Sequence, residues 1–301
     1  MFHEESYERH GEWYNQRFPT EQSKLDFYRK AKDSGGQSIN DWLQQIFFST
    51  LDPLLKTMPQ RWLTIGDAYG YDAHYVLSKG ATAIATDLNT DFLQLAKQEG
   101  VIEEFAAVNA EKIDFTDNSF DYVLCKESYH HFPRPYAALY EMMRVAKTAI
   151  VILEPQDPVS KMPALLFATN ILASSTKLLK KAWKNRFSYE PVGNFVYKVS
   201  EREFEKFAAG LALPLVAFKH INPNFYSNKV DGQPADPKNK IFAAISRKKG
   251  LLDTLVKLKV IPGQVLATVV FKQLPDAETL QALKNDGYHL LEIPPNPYTK
   301  K

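Results

Sequence analysis

The chain has 301 residues, 45% hydrophobic and 24% charged, a balance that excludes a disordered, collagen-like or disulfide-built protein. Lys and Arg number 37 against 35 Asp and Glu, so no global basic field draws nucleic acid and no nucleic-acid partner is expected. The single cysteine, Cys125, forbids an internal disulfide and a Cys-built zinc site, and at roughly 150 residues per domain the length suits one large domain or two small ones.

The amino-terminal segment is polar and aromatic, with no apolar core of signal-peptide length. The least polar stretch, 162–173, is shorter than the roughly 20 apolar residues that span a bilayer. A soluble, cytoplasmic protein is the expectation. Residues 1–60 read as a helical cap in which Tyr7, Trp13, Tyr14, Phe18, Phe27 and Tyr28 stand among charges. The Ser34-Gly35-Gly36 break separates them from an apolar helix over 39–55, whose exit Pro53 and Pro59 punctuate.

From Arg61 the pattern changes to short apolar strands alternating with helices. Strands are expected at 62–65, 83–86, 105–108, 122–125 and 149–153, and helices at 73–79, 91–98 and 136–145, with Asn89 or Thr90 capping the second helix. Alternation at this spacing indicates βαβ units and a parallel sheet covered on both faces. Residues 155–200 interrupt it with an apolar helix and the basic run from Lys177 to Lys184. A capping-box pattern, Ser200-Glu201-Arg202-Glu203, then opens a helix to about Gly210. Late strands are expected at 215–219 and 265–271, a polar loop at 222–239, a helix at 277–285 and a last apolar segment at 288–293. The chain thus divides into a helical cap (1–60), an α/β core (61–154), an insertion or lid (155–200) and the rest of the α/β domain (201–301).

The strongest local signal is Leu63-Thr64-Ile65-Gly66-Asp67-Ala68-Tyr69-Gly70, followed by Asp87 at the end of the next strand. Small residues after a strand let the backbone approach a ligand, and a carboxylate ending the following strand can accept both hydroxyls of a ribose. This is chemistry for a nucleoside cofactor. A dinucleotide fingerprint would need a small residue where Tyr71 stands.

Further motifs follow in order: Asn109-Ala110-Glu111, Asp117-Asn118-Ser119-Phe120-Asp121, Tyr129-His130-His131-Phe132-Pro133-Arg134-Pro135, and Glu141 through Arg144-Val145-Ala146-Lys147. Together with the glycine loop, they make residues 61–155 resemble the class I S-adenosylmethionine-dependent methyltransferases that act on small molecules. The resemblance implies a three-layer, Rossmann-like methyltransferase fold with S-adenosylmethionine as cofactor. It would pass the loop Gly66, Asp67, Ala68 and Gly70 under the methionine part and give the ribose hydroxyls to Asp87. Leu88 would lie on the adenine, and Asn109 and Ala110 at its edge. Cys125 and Lys126 would approach the methionine carboxylate and sulfonium.

The loop departs from the family pattern. Thr64 stands where an acidic residue is usual, Ala68 where glycine is, and Asn109 where aspartate is commoner; Asp67 could supply the missing carboxylate from a shifted position. Methyl transfer mainly requires alignment of the nucleophile, and an alcohol acceptor must also lose a proton. His131, which fits the family pattern, and His130 are the candidate bases, because an imidazole titrates near neutral pH. Glu127 and Glu154 are lesser candidates.

Glu127-x-x-His130-His131 has ligand types for a divalent ion, but Glu and His so close more often bond each other, and no metal is expected. The stretch 165–184 reads as a lid, with weak contact to a membrane surface as the alternative. The expected partner is a small polar acceptor, a sugar or sugar-containing metabolite first, methylated on oxygen. Two other readings stay open: a nicotinamide-dependent oxidoreductase and a non-catalytic relative. Nothing in the residues sets the oligomeric state.

Overall fold

The computed structural model describes residues 2–33, 36–172, 188, 189 and 193–298. Eight strands form one sheet: β1 (Arg61–Ile65), β2 (Thr82–Asp87), β3 (Glu104–Ala107), β4 (Phe120–Lys126), β5 (Ala146–Pro155), β6 (Leu215–Ile221), β7 (Val265–Phe271) and β8 (His289–Glu292). Their order is β3-β2-β1-β4-β5-β7-β6-β8. The first five are parallel, and β7 runs antiparallel to both β5 and β6, as does β8 to β6. The order reverses at β1, so the carboxyl ends of β1 and β4 flank a crevice of the kind where open α/β sheets take ligands.

Alternate residues of each central strand face opposite layers. Trp62, Tyr122, Leu124, Ala149, Val151 and Leu153 enter one apolar cluster, and Leu63, Val123, Cys125, Ile150 and Ile152 enter the other. Covering both faces is why the parallel strands read as unbroken apolar runs. On the first face lie α4 (Tyr71–Ser78) and α5 (Asp91–Gln98); on the second lie α6 (Pro135–Val145) and the helix Glu201–Gly210. A third cluster of Ile39, Leu43 and Val230 joins helix α3 (Ile39–Phe48) to the 222–239 loop.

The cap consists of α1 (Phe2–Arg17), α2 (Glu21–Asp33) and α3. Ser38 and Asp41 close a reciprocal capping box at the start of α3. That helix is shorter than expected: it ends at Phe48 and passes through a 3-10 turn, Ser49–Leu51, so the apolar residues before Pro53 sit on a tightened backbone. The expected cap of α5 also divides differently, because the Asn89 side chain accepts from Asp91 N at 2.9 Å while Thr90 makes no side-chain cap. After β5, α7 (Pro163–Leu172) begins the insertion. The basic run Lys177 to Lys184, with Trp183 and Phe187, lies outside the described residues.

The helix Glu201–Gly210 is α8, and Ser200 caps it by accepting from Glu203 N at 3.3 Å. Sequence reading missed α9 (Lys240–Lys257), which Asn239 caps by accepting from the backbone of Ile241 and Phe242. None of its residues is fully buried, so its apolar stripe is diluted by lysines and its periodicity is weak. The last helix is α10 (Ala277–Asn285).

The cap is pinned to the sheet by aromatic side chains. Phe92 of α5 is buried, with the rings of Phe18 at 4.7 Å, Tyr69 at 5.0 Å and Phe27 at 5.9 Å, and the Tyr28 hydroxyl donates to the carbonyls of Tyr69 and Phe92. Phe92→Ala is expected to cost about 3–5 kcal/mol, as truncation of a buried aromatic does. Urea denaturation measures it, and a loss below about 1 kcal/mol would show that the cap does not depend on this ring.

Candidate active site

The turn after β1 is built by two glycines with positive φ, Gly66 (70°) and Gly70 (75°). A Cβ on Gly66 would lie 2.4 Å from the Ser128 Cβ and 2.5 Å from its Oγ, so this position excludes every side chain. Asp67 N donates to Thr86 O at 2.9 Å and Gly70 N to Asp67 O at 3.0 Å, which ties the loop to β2 and closes it on itself. Ala68 sits half-buried within this turn.

The Asp67 carboxylate accepts from Thr64 Oγ1 at 2.9 Å and from the backbone of Asp72 and Ala73 at 3.2 and 2.8 Å. It therefore caps the positive end of α4, and Thr64 holds it there. Burial, and then the nearby Asp72 charge, push its pKa up to about 7 against those hydrogen bonds. Asp72 pairs in turn with the Lys126 amine at 3.1 Å, both side chains buried. Burial alone would lower the Lys126 pKa, but the Asp72 and Glu127 charges outweigh it and hold the amine above its usual range. Lys126 also stands 5.4 Å from the ring centres of Phe47 and Phe48, so it links β4, α4 and the cap.

Asp87 ends β2 with its carboxylate buried, accepting from Asn89 N at 2.9 Å. Burial raises its pKa to about 6, opposed by the backbone of Asn89 and Leu88 and by His131. Leu88 follows with 41% of its surface exposed, an apolar side chain open to solvent beside a buried acid. The Asn109 side chain accepts from Glu111 N at 2.9 Å, and Ala110 is buried in the second core cluster. Tyr7 of α1 reaches Asn109, Glu111 and Arg134, its phenol pushed up to about 12 by burial first and Glu111 second.

After β4 the chain is gathered onto one carboxylate. Glu154, fully buried near the end of β5, accepts from Ser128 N at 2.8 Å and Tyr129 N at 2.7 Å on Oε1. Its Oε2 lies 2.5 Å from His130 Nδ1. His130 and His131 occupy a 3-10 turn, Tyr129–His131, with ring centres 4.0 Å apart. His130 is thus paired with Glu154. Glu127 adopts a positive φ of 49°, and burial raises its pKa, with Lys126 and His130 pulling the other way. Across from it, Gln44 Nε2 donates to the Tyr226 hydroxyl at 2.9 Å, and burial and the Glu127 charge raise the Tyr226 phenol.

The candidate residues therefore lie at the carboxyl ends of β1, β2, β3, β4 and β5, but the side chains of Asp67, Cys125 and Lys126 turn inward. Cys125 is wholly buried in the core with its Sγ 3.0 Å from Ser128 Oγ, and burial pushes the thiol up. Lys126 faces Asp72. Sequence reading missed Ser128, Gln44 and the link from Ser6 Oγ to Asn194 Oδ1 (2.6 Å), whose amide donates to His131 O at 2.6 Å. Ser6 and Asn194 stand 188 residues apart, a pairing no local pattern announces. Among the described residues, no group of three or more His, Cys, Asp or Glu could hold a metal ion, and no helix is long and apolar enough to cross a membrane.

Residues 63–152 match the family model described as a methyltransferase domain. Two curated relatives align with the same part. The ubiquinone/menaquinone biosynthesis C-methyltransferase UbiE of Rhodopseudomonas palustris is 28% identical over 142 residues, 44% of this chain and 55% of its own length. The demethylmenaquinone methyltransferase of Paenarthrobacter aurescens is 26% identical over 132 residues, 43% of this chain and 52% of its own. The chain thus spans about half the length of these relatives. Among solved structures, a SAM-dependent methyltransferase from Archaeoglobus fulgidus superposes with a TM-score of 0.46 at 16% identity, covering 76% of this chain and 94% of that one. The central part of the chain, residues 63–152, is thus similar to a methyltransferase domain, which favours the S-adenosylmethionine resemblance over the nicotinamide reading.

The Asp67 carboxyl generates a pH prediction. Its folded pKa of about 7 lies above its ordinary 3.8, so the folded chain favours the protonated form. The stability this contributes is complete below the unfolded pKa and is lost as pH rises through about 7. Asp67→Asn removes the titration. The stability of the wild type minus that of the variant, from urea denaturation at a series of pH values, is expected to fall between about pH 4 and 7; a flat difference contradicts the assignment.

Proposed function

We propose that the protein is an S-adenosylmethionine-dependent methyltransferase that methylates a hydroxyl of a small polar acceptor, with His130 as the base. The observation that carries this reading is the 2.5 Å contact between His130 Nδ1 and the buried Glu154 carboxylate, made on the loop that Ser128 presses against Gly66. The cofactor supplies a methyl carbon made electrophilic by its sulfonium. What remains for the chain is to align the acceptor oxygen, exclude water and take one proton.

A proton on His130 Nδ1, donated to Glu154, makes Nε2 the basic position, and the carboxylate stabilises the imidazolium as it forms. Glu154 is a positioning residue: it orients the imidazole and does not itself touch the acceptor. His131 sits close enough to Asp87 to favour its charged form, which suits a place on the ribose side. Asp87 would accept the ribose hydroxyls, Leu88 would cover the adenine, and Asn109 and Ala110 would border it. The turn Gly66, Ala68 and Gly70 would lie under the methionine part. Asp67 and Lys126 would shape that turn from behind. The residues fit such a group because an open apolar side chain adjoins an acid at the end of β2 and Gly66 leaves the turn bare.

Tyr226, Glu127 and Gln44 would line the acceptor side, where the Tyr226 ring suits a sugar face. Tyr189, Phe195 and Tyr197 make an edge-to-face row of their own. Residues 1–60 and 155–200 would close the site and 201–301 complete its sheet. A cytoplasmic protein fits the unpaired thiol of Cys125. A second reading, transfer to carbon, is favoured by the Rhodopseudomonas palustris relative, which is named a C-methyltransferase; the position of the methyl signal in the product's NMR spectrum separates it from O-methylation.

Asp87→Ala is expected to weaken S-adenosylmethionine binding at least about tenfold, since even one lost hydrogen bond to a charged acceptor is worth about 1.5–3 kcal/mol; an unchanged Kd in isothermal titration refutes the ribose role. His130→Ala is expected to lower kcat by about 10²–10⁴ while leaving cofactor affinity nearly unaltered. Methyl incorporation into a panel of sugar and phenol acceptors, followed by mass, reads it. Equal turnover in wild type and variant sinks His130 as the base.

A further inference from the structure

The segment from Lys240 to Val260 carries six basic residues and one acid, and its outer face is not that of an ordinary solvated helix. Leu251, Leu258 and Val260 expose 61%, 67% and 56% of their surface. Arg247, Lys248, Leu251 and Thr254 recur at helical spacing along the exposed side of α9, and Leu258 continues it at the helix end. The one acid, Asp253, is half-exposed and paired with Asn222 and with Lys249 of the same helix. Beside this face opens a cavity of about 420 Å³ between α9 and the 222–239 loop, with Phe225, Ile241 and Ile245 as apolar lining and Lys229, Lys240 and Lys248 as its only charged residues.

The position of this face is as informative as its composition. The turn after α9 leads into β7, where Val265 pairs with Pro155, the residue after Glu154, and Gln156 N donates to Gln264 O at 3.0 Å. Exposed Leu258 and Val260 therefore belong to the same end of the sheet as the candidate active site. Phe167 of α7, which leaves β5 at that end, exposes 68% of its surface.

We propose that the outer face of α9 and the turn after it form a docking surface for an anionic lipid bilayer. Leucines would enter the headgroup boundary, the flanking cations would meet lipid phosphates, and the lysine-rimmed cavity would seat one lipid headgroup with its upper acyl chain. Charge complementarity commits the face to this occupant: apolar residues interleaved with Lys and Arg, with the one carboxylate of the helix paired to Lys249, suit anionic lipid. A second copy of the chain would bring the same basic face against itself. The lipid contact stands independently of the enzymatic reading; that it brings an active site to an amphiphilic acceptor rests on that reading.

The test is co-sedimentation of the full chain with vesicles of phosphatidylcholine alone and of equal parts phosphatidylcholine and phosphatidylglycerol. Binding is expected only to the second, and is expected to weaken steeply with salt. The double variant Leu251→Glu, Leu258→Glu is expected to lose at least about tenfold in affinity, and Lys248→Glu with Lys257→Glu about as much. Both variants should keep the wild-type melting temperature and S-adenosylmethionine affinity; that titration reads the enzymatic proposal separately. Equal binding to both vesicles, no binding to either, or variants that bind like wild type overturn the proposal. So does a wild-type dimer in analytical ultracentrifugation that the leucine variant dissolves, since a second copy then covers the face.

Discussion

Everything at the carboxyl end of the sheet depends on one buried carboxylate. Glu154 has no solvent contact and three neighbouring donors, the amides of Ser128 and Tyr129 and the His130 ring. A buried charge is tolerable only with such a set of partners. Because all three donors belong to one turn, satisfying the carboxylate also dictates how the chain leaves β4. Glu127 is forced into the left-handed region, and Ser128 is driven against the turn after β1, where its hydroxyl donates to Ile65 O at 3.0 Å. The glycine at position 66 follows from that approach as much as from any ligand.

A second set of buried charges supports the other side of the turn. Asp67 caps α4, Asp72 follows one turn on, and Lys126 answers Asp72 from the end of β4. This makes Thr64 intelligible: with a carboxylate already on Asp67, a hydroxyl is the partner that can donate to it, whereas a second acid would add repulsion to a site already burdened by burial. The cap joins through Lys126, which lies over Phe47 and Phe48, and through Ser6, which reaches the His131 carbonyl by way of Asn194.

The parts of this arrangement that were legible in the sequence are those with a local signature. The strand at 265–271 and the helices at 91–98 and 277–285 stand at the bounds their apolar spacing implies, and Gly66 and Gly70 form, with positive φ, the turn after β1 that their spacing implies. His130 and His131 stand on the turn after β4. What stayed hidden was direction. Whether Asp67 looks out of its loop or back into α4 depends on the backbone of Asp72 and Ala73, and which histidine meets an acid depends on Glu154, 24 residues beyond His130. Likewise α9 lacks a buried stripe and so lacks the periodicity that would reveal it.

The central claim is that the Glu154-anchored turn presents His130 to a methyl group held over the glycine loop. A crystal structure of the protein with S-adenosylhomocysteine tests it most directly. The ribose is expected on Asp87, the adenine against Leu88, and His130 Nε2 facing the open side of the sulfur with room for an acceptor oxygen between them. A nucleoside bound away from Asp87, or a His130 ring walled off from the sulfur, would contradict it.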